Sequence, residues 1–431
     1  MFGFAFLLPL LTWQLAAGAA ILALLFNLFL LPQFDVDLRK HPGAYDVVRR
    51  GQETRTGVIL YPVSAILLVF IYRHHLEVAG AAWAIMALGD TAASVAGEAM
   101  GRATLPWNPG KTWAGLVAFV VIGAAGARVL TGWANPALPG NKALLICVLG
   151  AILGAAVESA PIRLDDNLTV PLVCGGFMFC AWLTARAALD SNLPYLGRRL
   201  ALATIINLAC ALIAFKLKTA SRSGAALGFV LGTLVYLGYG WRSFLILVAF
   251  FVVGSAATRM GYAAKAKRGI AEGQGGARSW REALANVGAG AFFAVLVITT
   301  RQEHAFLVAL VAAFTEAAGD TVSSEIGRWL SSRAYLITSF RPVLAGENGG
   351  VSLPGTVAGL IASAVIAALG LMLGLTGAGG AGIAFGAAIA GNLFDSVLGA
   401  TLERRGLVTN GIVNFAGTAL AGGLALALTL R

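Results

Sequence analysis

The sequence predicts an all-α, polytopic transmembrane fold of about 14 spans, built from two modules related by a parallel duplication. Three observations predict it. Hydrophobic residues fill 58% of the 431 positions and charged residues only 12%, against about 25% charged in a soluble domain. The apolar residues come in runs of about 18–25, the length a helix needs to cross about 30 Å of hydrocarbon. Polar signatures recur in the same order in both halves. With a mean hydropathy of +0.81, the chain is no soluble enzyme, disordered segment or disulfide scaffold.

In chain order the spans fall near 4–32, 57–72, 79–98, 112–130, 142–159, 169–189, 197–215, 223–239, 243–258, 283–300, 305–327, 351–375, 380–400 and 411–430. The first lacks a basic leader and is too long for a signal-peptide core, so it is expected to be retained. Alternate loops (33–56, 99–111, 160–168, 216–222, 259–282, 328–350 and 401–410) carry 22 of the 31 Lys and Arg residues. That positive-inside pattern places both termini outside and these loops in the cytoplasm, at a bacterial inner membrane. The net charge of +11 is thereby topological. No basic patch is interleaved with aromatics, so nucleic acid is excluded as a partner and the bilayer is the expected one. Cys147, Cys174, Cys180 and Cys210 lie in apolar runs without a C-x-x-C pair and read as small buried hydrophobes. The four histidines show no metal-ligand spacing. Loop 259–282, basic and Gly-rich, could attract anionic lipid or nucleotide, but the solvated linker is the favoured reading.

The duplication rests on three matches. A-L-G-D-T-A-A-S-V-A-G at 87–97 matches A-A-G-D-T-V-S-S-E-I-G at 317–327, pairing Asp90 with Asp320, Thr91 with Thr321 and Ser94 with Ser324. G-K-T-W-A-G at 110–115 matches G-V-S-L-P-G at 350–355. Glu158-Ser159 matches Asp395-Ser396, each followed by a short polar stretch, at 164–169 and 408–414. Every copy falls on the expected cytoplasmic face, so the modules point the same way, unlike inverted repeats. The boundary is expected near 196, giving domains 1–196 and 197–431.

Asp90, Glu98, Glu158, Glu316, Asp320, Glu325 and Asp395 lie inside or at the ends of spans. A carboxylate near mid-membrane costs about 2.5–3.5 kcal/mol on insertion scales, so these residues are expected to face a polar cavity. Hard oxygen ligands suit Mg²⁺, held by one or two carboxylates plus substrate phosphates. Gly110 lets backbone approach an anion, Lys111 supplies charge, and Thr112 opens a helix whose N-terminus favours phosphate. The set points to phosphoryl transfer, which needs little beyond positioning and charge neutralisation. G-K-T here is not a P-loop: Leu105 stands where the first glycine would be.

At these motifs the chain resembles two families. Residues from about 57 to 190 resemble the dolichol and phytol kinases, through R-T-G-V-I-L-Y-P, A-L-G-D-T-A-A-S-V-A-G, L-P-W-N-P-G-K-T-W-A-G and V-E-S-A-P-I-R-L-D-D-N-L-T-V-P. Residues from about 223 to 431 resemble the membrane family containing plant phytyl-phosphate kinase, through G-D-T-V-S-S-E-I-G, P-V-L-A-G-E-N-G-G-V-S-L-P-G-T and G-N-L-F-D-S-V-L-G-A-T-L-E-R-R-G. The resemblance implies a bifunctional enzyme. CTP with Mg²⁺ would phosphorylate a prenyl alcohol such as phytol or geranylgeraniol, then the resulting prenyl monophosphate.

Residue roles follow as expectations. In the first site Asp90 with Glu158 or Asp166 would organise Mg²⁺. Lys111, Thr112 and Gly110 would contact nucleotide phosphates, with Thr91, Ser94, Asp165 and Asn167 towards substrate or base. In the second, Asp320 and Asp395, with Glu325, take the metal role beside Thr321 and Ser324. Asn348, Gly349, Gly350 and Ser352 would cradle phosphate, and Asn414 would face the substrate. Arg328 or Arg341 would neutralise the lipid monophosphate, each serving equally well as a positive-inside anchor. The general base, and roles for Arg39 and Lys40, stay open. The rivals are a cytidylyltransferase acting on a lipid phosphate and a transporter.

Overall fold

The computed structural model describes residues 2–30, 51–161 and 164–430, so Arg39 and Lys40 lie outside the described residues. It divides into two compact units, Met1–Trp182 and Leu183–Arg431. The division precedes 196 because α7 (Arg186–Lys216) runs through S-N-L-P-Y-L-G as one helix. Ser191 and Asn192 both donate to the Ala188 carbonyl, at 2.8 and 2.9 Å, tying the turn that carries Pro194.

Unit 1 begins with 3-10 turns around Pro9, then α1 (Trp13–Leu25), started by the Thr12 side chain at its N-cap. The expected single span 4–32 is thus broken near Thr12. Then come α2 (Gly51–Ile71), α3 (Leu76–Met100), a hairpin of β1 (Thr104–Leu105) and β2 (Asn108–Thr112), α4 (Trp113–Ala134), α5 (Gly140–Ser159) and α6 (Asp166–Trp182). The centre is α3, whose Gly80–Met86 stretch is entirely buried. Its small residues allow neighbouring backbones close, the usual basis of packing between membrane helices.

Unit 2 has α7, α8 (Arg222–Tyr239), α9 (Trp241–Arg259), α10 (Tyr262–Lys267), α11 (Trp280–Thr299) and α12 (Glu303–Leu330). A small sheet follows, of β3 (Arg333–Leu336), β4 (Pro342–Leu344) and β5 (Gly350–Val351), all antiparallel in the order β4-β3-β5. Last are α13 (Leu353–Met372), α14 (Ala378–Leu398), which continues into a π-turn at Gly399–Glu403, and α15 (Asn410–Thr429). The core runs along α12, buried continuously from Ala305 to Gly319.

Eleven helices among the described residues are long and apolar enough to cross a membrane. At the other expected positions stand α2, α6 and α8, of which α6 has 17 residues. Large apolar side chains such as Val121, Ile205, Val252 and Ile361 are exposed on these helices, as lipid-facing surfaces require. The all-α class holds. The two small sheets are additions that the apolar pattern gave no sign of.

The repeat is visible in the packing of each unit taken by itself. In unit 1, α3 packs on α2, α4, α5 and α6; in unit 2, α12 packs on α11, α13, α14 and α15. The contacts match residue by residue. A Cβ at Gly115 would meet the Ala93 carbonyl at 2.9 Å, and one at Gly355 the Ser323 carbonyl at 2.5 Å. A Cβ at Gly97 would lie 3.2 Å from the Thr112 hydroxyl, and one at Gly327 2.9 Å from that of Ser352.

Candidate functional site

In unit 1 the β1–β2 hairpin folds onto the end of α5. Trp107 donates to the Ser159 hydroxyl at 3.4 Å and Asn108 to the Ser159 carbonyl at 3.2 Å. Asn108 also accepts from the Gly110 amide, at 3.2 Å. This geometry carries Lys111 to the Glu158 carboxylate, which it ion-pairs, with Asp166 3.8 Å away. Burial opposes the charge on Lys111, but Glu158, Asp166 and Asp90 outweigh it and hold its pKa above the ordinary value. Asp166, at the mouth of α6 ahead of its apolar stretch, is pushed up to about 7 by burial. The Lys111 ammonium opposes that rise, and Glu158, Asp90 and Asp165 add to it.

The other predicted residues of this unit do more local work. Thr112 is the N-cap of α4, accepting from the Gly115 amide at 3.1 Å. Asp165 accepts from both nitrogens of Asn167, at 3.0 and 2.8 Å, which fixes the start of α6. Thr91 and Ser94 sit on the exposed side of α3, and the Thr91 hydroxyl donates back to the Ala87 carbonyl at 2.7 Å. Asp90 is half-buried near Lys111.

In unit 2 the sheet folds onto the end of α14. Gly349, at φ 72°, presses against the π-turn so closely that a Cβ would lie 2.1 Å from the Ala400 nitrogen. Only glycine meets both demands. Glu347 bridges to Arg404 at 3.3 Å and pins the same contact. Asn348 is exposed, while Gly350 donates to the Glu347 carbonyl at 3.0 Å within its turn. Ser352 caps α13, accepting from Gly355 at 3.4 Å, as Thr112 caps α4. Arg341 is exposed in the β3–β4 turn.

Deeper in, α12 presents Glu316, Asp320, Thr321, Ser324 and Glu325. Ser324 donates to the Asp320 carbonyl at 2.9 Å, and Thr321 is buried. Glu316 is 1% exposed, and Gly391 and Gly417 make room for it: a Cβ at Gly417 would meet its Oε1 at 2.5 Å. Three buried acceptors, Glu316 Oε1, Asp395 Oδ2 and Asn414 Oδ1, have no hydrogen-bond partner among the described residues. Asp320 and Asp395 both lie within electrostatic reach of Glu316. Glu316 stands four residues before Asp320, one helical turn away on the same face. That spacing was the available signal for a role that the sequence reading never gave it.

Loop 259–282 corrects the linker expectation. It folds back on α12: Lys265 is wholly buried, paired with Glu325 and donating to the carbonyls of Thr258 (2.9 Å) and Ala257 (3.3 Å). Arg268 reaches the carbonyls of Arg328, Trp329 and Ser331, and Glu272 pairs with Arg328 at 3.2 Å. Glu325 is thereby taken up by Lys265 and by Arg328, 3.7 Å away.

The donor sets can be tested for a divalent cation. In unit 2 the orphaned oxygens of Glu316, Asp395 and Asn414 are hard, acceptor-only donors of the kind Mg²⁺ takes. In unit 1, Glu158 is engaged by Lys111, which leaves Asp90 and Asp166 as the carboxylates open to a metal. Among the described residues no three His, Cys, Asp or Glu side chains form a closed metal cluster. Mg²⁺ commonly needs only one or two carboxylates, completed by water and phosphate.

Apolar helices around polar helix-end signatures define an integral membrane protein. Residues 205–422, half of the chain, match the family described as Integral membrane protein DUF92, and the chain belongs to that family. Residues 1–204 lie outside that match. The chain is 36% identical over 232 residues to an uncharacterized membrane protein, sll0875, of Synechocystis sp., covering 52% of this chain and 90% of that one. It is 37% identical over 187 residues to the chloroplastic Protein VTE6 of Arabidopsis thaliana, covering 42% and 56% respectively. It is 26% identical over 129 residues to the chloroplastic Phytol kinase 1 of the same plant, covering 28% and 42%. The match spans about half the length of these last two relatives. No solved structure matches.

Proposed function

We propose that the chain is a two-site phosphotransferase of prenyl lipids. The first unit converts a prenyl alcohol to its monophosphate, and the second converts that monophosphate to the diphosphate. CTP is the donor and Mg²⁺ the accompanying ion. The observation that carries the reading is one module built twice with different cations. Among the described residues Lys111 is the cation set against Glu158, Asp166 and Asp90 in the first; the charges of Arg328 and Arg278 reach Asp320 in the second. Similarity to a protein named phytol kinase supports the substrate class.

In the first site Lys111 pairs with the nucleotide phosphates, helped by the backbone N–H groups at the start of α4. The alcohol oxygen attacks the terminal phosphorus. The bond from that phosphorus to the bridging oxygen breaks, and its electron pair leaves with the nucleoside diphosphate. The alcohol proton passes to a carboxylate, a role that Asp90 takes only as the alternative to its metal role. Bound Mg²⁺ would neutralise charge on the transferred group, held by Asp90 and Asp166 in the first site and by Asp320, Asp395 and Glu316 in the second. In the second site the attacking oxygen belongs to a phosphate that is already anionic, so no proton acceptor is required. Charge neutralisation is what that step needs. With the basic loops inside, both sites face the cytoplasm of a bacterial inner membrane, where one bilayer holds the intermediate near the second site.

The test is purified protein in lipid vesicles with CTP, Mg²⁺ and geranylgeraniol or phytol, its lipid products read by mass spectrometry. Monophosphate and diphosphate are expected. A CDP-lipid would move the reading to cytidylyl transfer, and lipid or solute flux without nucleotide consumption would move it to transport.

A further inference from the structure

We infer that Arg278, acting with Arg328, is the acceptor-phosphate clamp of the second unit, which makes its lipid substrate a phosphomonoester rather than an alcohol. This rests on the kinase reading above and deepens it.

The segment that carries Arg278 is built into the fold. Its amide donates to the Thr219 carbonyl and its own carbonyl accepts from the Ser221 amide, both at 2.9 Å. The next residue, Ser279, caps α11 in a reciprocal pair with Glu282. Arg278 is therefore held between the starts of α8 and α11. Its guanidinium donates to the Thr258 hydroxyl at 3.2 Å and stands 3.6 Å from Glu282. Thr258 lies one turn after Gly254, where a Cβ would touch the Thr321 methyl at 3.3 Å. Thr258 also accepts from Lys265, which pairs with Glu325, and Glu325 lies 3.7 Å from Arg328, so Arg278 and Arg328 belong to one cluster on α12. The charges of Arg278 and Arg328 both reach Asp320.

Counting donors separates the cations of this cluster. An ammonium has three N–H donors. Lys265 uses them on Thr258, Ala257 and Glu325, and it is 0% exposed, so it is a strut with nothing left for a ligand. Arg268 is turned to the carbonyls of Arg328, Trp329 and Ser331 and holds the end of α12 in place. Arg278 and Arg328 differ. Each guanidinium has five donors, their side chains are 20% and 27% exposed, and each has few partners. A planar fork of this kind matches phosphate oxygens two at a time.

The balance of charge then separates the units. Among the described residues around Lys111, one ammonium meets Glu158, Asp166 and Asp90. Around Asp320 the acids Glu316, Asp320 and Asp395 are as many and Lys265 is matched by Glu325, but Arg278 and Arg328 bring two guanidinium groups where unit 1 brings one ammonium.

The experiment uses the full-length protein in vesicles, as wild type, Arg278→Ala and Arg278→Lys, with thermal unfolding as a check of folding. Binding of a prenyl monophosphate without nucleotide is measured, then its conversion with CTP. The clamp predicts binding weakened about tenfold or more in Arg278→Ala, a KM raised in proportion with a smaller change in kcat, and partial rescue in Arg278→Lys. Phosphorylation of the alcohol is unchanged. If folded Arg278→Ala binds and converts the monophosphate as the wild type does, the clamp is wrong and the kinase reading stands. If the wild type binds the monophosphate in an Arg278-dependent way yet transfers nothing to it, the clamp stands and the kinase reading falls.

Discussion

Gly355 lies so close to Ser323 that a Cβ would stand 2.5 Å from the Ser323 carbonyl oxygen, and Gly115 repeats the approach on Ala93 at 2.9 Å. A backbone oxygen inside a helix cannot swing aside, so Gly355→Ala must push α12 and α13 apart. Overpacking of this kind costs about 1–3 kcal/mol. Gly228→Ala is the control: nothing lies within 4 Å of its Cβ position, and alanine gains up to about 1 kcal/mol of helix propensity there. Thermal unfolding in detergent should show a lowered midpoint for the first and none for the second.

Lys111→Met removes the one cation that pairs with Glu158 among the described residues, and Glu158 is 5% exposed. Leaving a buried charge without its partner costs about 3–5 kcal/mol, and losing the phosphate contact lowers the alcohol kinase rate about 10²–10³-fold. The double variant Lys111→Met/Glu158→Leu should recover stability while staying inactive. Recovery of activity in that variant would show the pair to be structural.

Asp166, raised to about 7, is neutral below that pH and anionic above it. Affinity of the first site for divalent cations, and its rate at limiting Mg²⁺, should therefore rise from pH 6 to pH 8. The effect on folding has the opposite sign. The folded state holds this proton more tightly than the unfolded chain, so the stabilisation is complete below about pH 4 and lost as pH rises through 7. Asp166→Asn should flatten both dependences, checked by initial rates and by unfolding midpoints across the range.

Glu316→Gln keeps shape and removes charge. If Glu316, Asp395 and Asn414 hold a cation, Mg²⁺ should raise the unfolding midpoint of the wild type, and that shift should shrink in the variant. Monophosphate conversion should fall about 10²-fold with alcohol phosphorylation intact. An unchanged Mg²⁺ shift would take Glu316 out of the metal site.

Much of this was legible in the sequence. Runs of apolar residues marked most of the helices, and the paired signatures marked residues that each unit uses alike, Gly97 beside Thr112 and Gly327 beside Ser352. The misses share a cause. Lys265 sits among glycines and basic residues, and the partner that buries it, Glu325, is 60 positions away; no local pattern encodes that pairing. The strands are two to five residues long, too short to show an alternating period. The gap at 190–196 between two expected spans is helical instead, since α7 runs through Pro194 without interruption.

The central claim is two sequential transfers at two sites of one chain. Asp90→Asn and Asp320→Asn, each in vesicles with CTP, Mg²⁺ and geranylgeraniol, test it most directly when lipid products are followed over time. Asp320→Asn should accumulate monophosphate and make no diphosphate. Asp90→Asn should make neither from the alcohol, yet still convert added monophosphate. Loss of both steps in each folded variant, or diphosphate formation by Asp320→Asn, would contradict the account.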